Sequence, residues 1–237
     1  MKNLWTYYSV SFRFLTKLCA SVPANPELTK IWLENRQPRV RPAGGRSISE
    51  INEEVVSTLL GEEEATPSLL VFQRIDGVLV MRAATVRAHI KDCARVISAQ
   101  YVGKIKGERS FATKVINGVY HDETQYWLPI LSASREQFTD PTGIYEKPIR
   151  FRLPDGRQMS AIKILEYVEN ASLHFRLKVL GSIPGIDDLR SIFEYGATHG
   201  YGGERGDGEG RYEFTIEKEK EDGKQQNYAA NLIENSR

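Results

Sequence analysis

A chain of 237 residues, 41% hydrophobic and with a net charge of only +1, can bury one substantial core but lacks the bulk charge to coat a polyanion indiscriminately. No apolar run approaches the roughly 18 to 20 residues that span a bilayer, and Cys19 and Cys93 are too few for a disulfide framework or a sulfur-ligated metal. The expectation is a cytoplasmic protein with no cofactor and no membrane contact, in which binding of a polyanion depends on local clusters of cations.

The first element is a strand. Tyr8, Val10, Phe12 and Phe14 alternate with Tyr7, Ser9, Ser11 and Arg13, which gives one apolar face and one polar face. Pro23 and Pro26 mark a turn, after which Leu28, Ile31 and Trp32 fall at helical spacing. A basic linker follows with Arg36, Arg39, Arg41 and Arg46. Ser47 and Glu50 then have capping-box spacing for a helix through Leu60, with Ile51, Val55, Val56 and Leu59 inward, and Glu62 to Glu64 close the insertion.

Further along, Asp76-Gly77 between two apolar runs predicts a tight hairpin. A helix over 83–99 should bury Val86, Ile90, Cys93, Ala94 and Ile97. Arg87, Lys91 and Arg95 lie at i, i+4 and i+8 on its polar face, with His89 on the polar side as well. Such a stripe suits a phosphate backbone, or equally an ordinary solvent face paired with Asp92. The segment with Lys104, Lys106 and Arg109 reads as a loop or hairpin tip flanked by Tyr101 and Phe111, a combination that suits single strands if those rings are not core residues. Segments 119–131 and 147–168 read as strands, the second a hairpin turning at Pro154-Asp155-Gly156.

The closing unit is an alternating strand over 172–181, a helix over 186–196 with Asp187 and Asp188 near its N-terminus, a glycine-rich loop and a last strand. Six of the eleven residues from Gly200 to Gly210 are glycine, with Arg205 and Arg211 beside them. Backbone donors exposed by such a loop, next to two guanidinium groups, suit phosphate oxygens. The competing reading is a packing device that lets the chain pass close over the preceding helix. Together with the first strand and the helix after it, the order is β-α-β-β-α-β: an α+β, ferredoxin-like (RRM-like) antiparallel sheet with helices on one face, its middle elaborated by the basic helix and residues 101–157. Residues 1–216 are expected to form one elaborated domain with insertions at about 36–66 and 101–157, and 217–237 a polar, flexible tail.

The pattern G-x-G-G-x-R-G-x-G-x-G-R-aromatic over Gly200–Tyr212, after a strand and a helix, resembles the glycine-rich loop of the RAMP superfamily, the RNA-binding backbone and processing subunits of CRISPR effector complexes. The Met81–Arg87 helix opening lies where such backbone subunits grip the guide, though without their usual proline-glycine-serine sequence. The two ends also resemble bacteriophage proteins with an aromatic first strand, a V-P-x-[ND]-P-E-like segment and a similar loop. The resemblance implies a phage-encoded, RAMP-type protein that binds RNA or single-stranded DNA through Gly200, Gly202, Gly203, Arg205, Gly206, Gly208, Gly210 and Arg211. Arg87, Lys91, Arg95, Lys104, Lys106 and Arg109 would support that contact.

Two other readings stand beside it. One is a metal-independent endoribonuclease in which His199, immediately before the loop, exchanges protons near the scissile phosphate. The other is a phage interaction protein that mimics or blocks a CRISPR backbone subunit. The partners implied are RNA or single-stranded DNA, a homo-oligomer or filament along it, and a CRISPR or phage protein. The sequence contains no phosphate-binding P-loop, no G-x-S-x-G elbow and no H-E-x-x-H helix.

Overall fold

A computed structural model describes residues 4–24, 68–101, 111–152, 158–181 and 184–219. The helices expected over 26–35 and 47–60, the arginine linker between them, Lys104, Lys106, Arg109, the 154–156 turn and most of the tail lie outside these residues. The described chain forms strands β1 (Trp5–Phe14), β2 (Leu18–Cys19), β3 (Val22–Pro23), β4 (Ser68–Val71), β5 (Gln73–Ile75) and β6 (Val78–Arg82), then helices α1 (Ala83–Tyr101) and α2 (Phe111–Gly118). There follow β7 (Val119–His121), β8 (Trp127–Pro129), β9 (Gly143–Arg152), β10 (Gln158–Val168), β11 (Ser172–Leu180), helix α3 (Ile186–His199) and β12 (Tyr212–Lys218). The architecture is α+β.

The sheet that positions the site has the order β12-β1-β11-β7, with every neighbouring pair antiparallel. Alternation in β1 turns Tyr8, Val10, Phe12 and Phe14 to the buried face. Both α1 and α3 cover that face, and Val86, Ile90, Leu189, Ile192 and Phe193 share one core with Phe175 and Leu177 of β11. Phe12 is at the centre and fully buried. It stacks on Tyr212 at 4.0 Å and meets Phe175 and Phe193 edge-on at 4.9 and 5.4 Å. Such ring pairs add roughly 0.5–1.5 kcal/mol each beyond the area they bury.

The basic helix therefore has a different place from the one expected. It is not an elaboration: α1 is one of the two helices packed on the sheet, because Ala83, Val86, Ile90, Cys93, Ala94 and Ile97 form one inward-facing apolar side. His89 is also corrected. It lies three residues after Val86 and four before Cys93, inside the wide apolar stripe of the helix, and is only 4% exposed.

Two further sheets have five and three strands. In one, β10 pairs with β9 antiparallel from Gln158↔Arg152 to Tyr167↔Gly143, and also joins β4 and β2, with β3 on β4. The other is β5-β6-β8. Its hairpin turns at Asp76 and Gly77, both at positive φ (51° and 80°), the backbone that a tight two-residue turn requires. At the far end, β12 runs two residues past 216, and the Glu219 amide still donates to Tyr7 O at 2.9 Å.

Candidate nucleic-acid interface

The glycine-rich loop leaves the C-terminus of α3, folds against the segment between β1 and β2, and enters β12. Its first contacts are main-chain ones. The amides of Gly203 and Gly210 donate to Cys19 O and Lys17 O, each at 2.9 Å, and Tyr201 N donates to Gly210 O at 2.9 Å. Gly200, Asp207, Gly208 and Glu209 also donate to main-chain carbonyls of the loop and helix, and Arg211 N donates to Thr16 Oγ1 at 3.0 Å. Only the amides of Gly202, Glu204, Arg205 and Gly206 have no internal acceptor among the described residues. Most of the donors that a phosphate cradle would require are thus spent on closing the loop.

The glycines answer to packing. At Gly210, φ is 73° and a Cβ would collide with the Tyr201 backbone. At Gly203 it would come within 2.5 Å of Ala20 O. Gly206 is the contrast, with open space where a side chain would project. Tyr201, between the glycines, is buried and its hydroxyl meets Thr85 of α1, which fixes the root of the loop to the helix.

Charge in the loop is sorted by face. The Glu204 side chain is only 6% exposed and is held by Lys147 at 3.2 Å and by Lys163. Lys147 also pairs with Asp207, and hydrogen bonds from Lys147 hold the Asp207 carboxyl below the usual carboxylate range. Glu209 accepts the Lys17 amide at 2.9 Å. All three acids are thus engaged by Lys17, Lys147 and Lys163, while the loop's arginines are not. Arg205 Nη1 lies 3.1 Å from His199 Nε2, and the Arg211 side chain is exposed, beside Gly208. Among the described residues neither guanidinium has a carboxylate partner.

The helix stripe divides. Arg87 donates to Val119 O at 3.0 Å and Ile116 O at 3.1 Å and lies over the Tyr120 ring at 4.3 Å, so it ties α2 to β7. Arg95 is 3.6 Å from Asp92, an exposed pair of the kind that contributes little. Lys91 has no acidic partner among the described residues. Burial and the neighbouring Arg87 and Arg95 lower its pKa. Of the two rings flanking the 102–110 segment, Phe111 belongs to the core.

His199 stacks on Tyr195 at 5.4 Å, and partial burial followed by the Arg205 charge pushes its pKa below the ordinary histidine value, with Asp92 opposing. It is thus largely neutral near pH 7, with Nε2 facing Arg205. His89 is enclosed: Nε2 is 2.8 Å from the Tyr212 hydroxyl, and burial pushes its pKa down to about 3. His174 faces out from the sheet on β11. No group of three or more His, Cys, Asp or Glu residues is arranged to hold a metal among the described residues, and no described helix is long and apolar enough to cross a membrane.

Sequence reasoning passed over Lys17, Lys147 and Lys163. They lie 130 to 146 residues apart in sequence, Lys17 against the other two, and meet only because β9 and β10 run beside the loop. The one signal available was within the loop, where Glu204, Asp207 and Glu209 must find cations somewhere.

No protein-family model matches this chain, and no curated protein matches it significantly. Among solved structures, the fold is similar to a chain of the "Cryo-EM structure of the Type III-B Cmr-beta bound to cognate target RNA", at 12% identity and a TM-score of 0.44, covering 91% of this chain and 61% of that one. It is also similar to the "Crystal structure of Cmr6 from Pyrococcus furiosus", at 9% identity and a TM-score of 0.40, covering 93% of this chain and all of that one.

Proposed function

We propose that this chain is a RAMP-type protein that binds RNA or single-stranded DNA through the outer face of the glycine-rich loop. In this reading the β12-β1-β11-β7 sheet with α1 and α3 is a ferredoxin-like β-α-β-β-α-β unit within one elaborated domain. Its support is the chain order, with α1 between β1 and β7 and α3 between β11 and β12.

The observation that carries the binding proposal is the sorting of charge. A loop stabilised only by its own electrostatics would pair its arginines with its three acids. Here the acids pair with lysines and a main-chain amide, and Arg205 and Arg211 are left for an external anion. Guanidinium is weakly hydrated and forks onto phosphate, so the cost of such a contact is small. Lys91, half-buried on α1, adds a third cation without an acidic partner among the described residues. Glycines 200, 202, 203, 208 and 210 act as spacers that shape this face, not as the main ligands.

The test is a titration of labelled single-stranded RNA and DNA at several salt concentrations. Each phosphate contact on a single strand contributes about 0.7 to the slope of log affinity against log salt, so Arg205→Ala with Arg211→Ala should lower the slope by about 1.4. An unchanged slope in a folded double variant would refute the proposal, as would failure of the unaltered protein to bind either strand.

The endoribonuclease reading has one specific support, a neutral His199 against a cation. Acid-base cleavage needs a second proton-transfer group, and the one ring stacked on His199 among the described residues is Tyr195.

A further inference from the structure

We infer that Tyr126, Trp127 and Arg82 form a base-stacking station for the same single strand, an assignment that rests on the binding reading above and adds recognition of bases to contacts with phosphates. The observation begins with exposure. Among the described residues Tyr126 is the aromatic side chain that is exposed, at 50%. It is nevertheless held firmly. Its ring meets Trp127 edge-on, with centroids 5.0 Å apart and planes at 85°, and its hydroxyl accepts a hydrogen bond of 2.5 Å from Arg82 Nη2. Tyr126 O also accepts the Ala83 amide at 3.0 Å, so the start of α1 pins the residue's backbone.

Arg82 completes the station. It is the direct cross-strand neighbour of Trp127, and its guanidinium lies 5.4 Å from the Tyr126 ring and 5.9 Å from the Trp127 ring. No carboxylate pairs with it among the described residues, and its buried Nε has no hydrogen-bond partner. A flat exposed ring with a restrained edge, beside an uncompensated guanidinium, matches the chemistry of a base with its attached phosphate. The ring accepts any base by stacking, and the cation holds the charge.

The station also lies on the route of the loop's own contacts. Thr85, three residues after Arg82, joins Tyr201 at the loop root. His199 lies within electrostatic reach of Asp92 and Arg205 within reach of Cys93, ten and eleven residues along from Arg82, or about 15 Å at the helical rise. Between them α1 presents Ala84 and Ala88, both exposed and small. A few linked nucleotides can cover that distance, with one base on Tyr126 and phosphates nearer Arg205.

The experiment measures binding of two oligonucleotides of equal length, one carrying bases and one an abasic sugar-phosphate chain, in both RNA and DNA forms. Tyr126→Leu, which keeps apolar bulk but removes the flat ring, should weaken the base-bearing strand about tenfold or more and leave the abasic strand unchanged. The salt slope should not move, and Tyr126→Phe should bind like the unaltered protein. The inference is overturned if Tyr126→Leu binds the base-bearing strand normally, or if it loses both strands equally. If Arg205 and Arg211 govern the salt slope while Tyr126→Leu has no effect, stacking alone is wrong. If neither strand binds the unaltered protein, the binding reading fails first.

Discussion

Replacing His89 with glutamine isolates one proton that the folded protein refuses. The imidazole is 4% exposed, bonded to Tyr212, edge-on to Phe12 and within the field of Arg205 and His199. Burial, followed by those two cationic neighbours, pushes its pKa from 6.5 down to about 3. An unfolded chain takes up the proton as soon as pH falls below 6.5, whereas the folded one does so only near 3. This residue therefore adds no penalty above pH 6.5, and stability falls as pH drops through the window from 6.5 toward 3. At pH 4.5 the two states have been separated by about two pH units of titration, or about 3 kcal/mol. That is a large share of the roughly 5–15 kcal/mol that holds a domain together. Glutamine can still bond the Tyr212 hydroxyl but does not titrate. Urea unfolding measured at intervals between pH 7 and 4 should show the unaltered protein losing about one proton's worth of slope more than His89→Gln. Parallel curves for the two proteins would refute the account of a neutral, enclosed imidazole.

The remaining predictions concern the loop. Gly210→Ala should destabilise the fold by about 2 kcal/mol or more, since a left-handed backbone alone costs an L-residue roughly 1–2 kcal/mol and the new methyl strikes Tyr201. Gly206→Ala, facing open space, should stay within about 0.5 kcal/mol; equal unfolding midpoints for the two would contradict the packing role. Incubated with labelled RNA and a chelator, the protein should leave the strand intact. Cleavage that disappears in His199→Ala would reinstate the endoribonuclease reading.

Some of this structure was legible locally. Alternation in β1 and β11, the Asp76-Gly77 turn, the β9–β10 hairpin and the strand-helix-loop-strand order of the C-terminal unit each depend on residues close in sequence. Period and turn chemistry suffice for such elements. The error at α1 has a simple cause. Its arginines and lysine at i, i+4 and i+8 gave a clear polar stripe, but His89 looks ambiguous until the width of the buried face is known. Nothing in the sequence says that Arg87 reaches the end of α2, because its acceptors are carbonyls 29 and 32 residues away.

The candidate site divides in the same way. That a glycine-dense segment carries Arg205, Arg211 and His199 between a helix and a strand is readable from the residues alone, since density and order of residue types are local facts. What that segment does with its donors and charges depends on the packed fold. Closure of the loop on itself and on Lys17 and Cys19 uses most of the amides, and β9 and β10 bring the lysines that take Glu204 and Asp207, leaving the arginines without a carboxylate among the described residues. The physical reason is range: a glycine's conformational freedom belongs to the residue, whereas the partner of a buried charge is fixed by which distant strands the core brings alongside it.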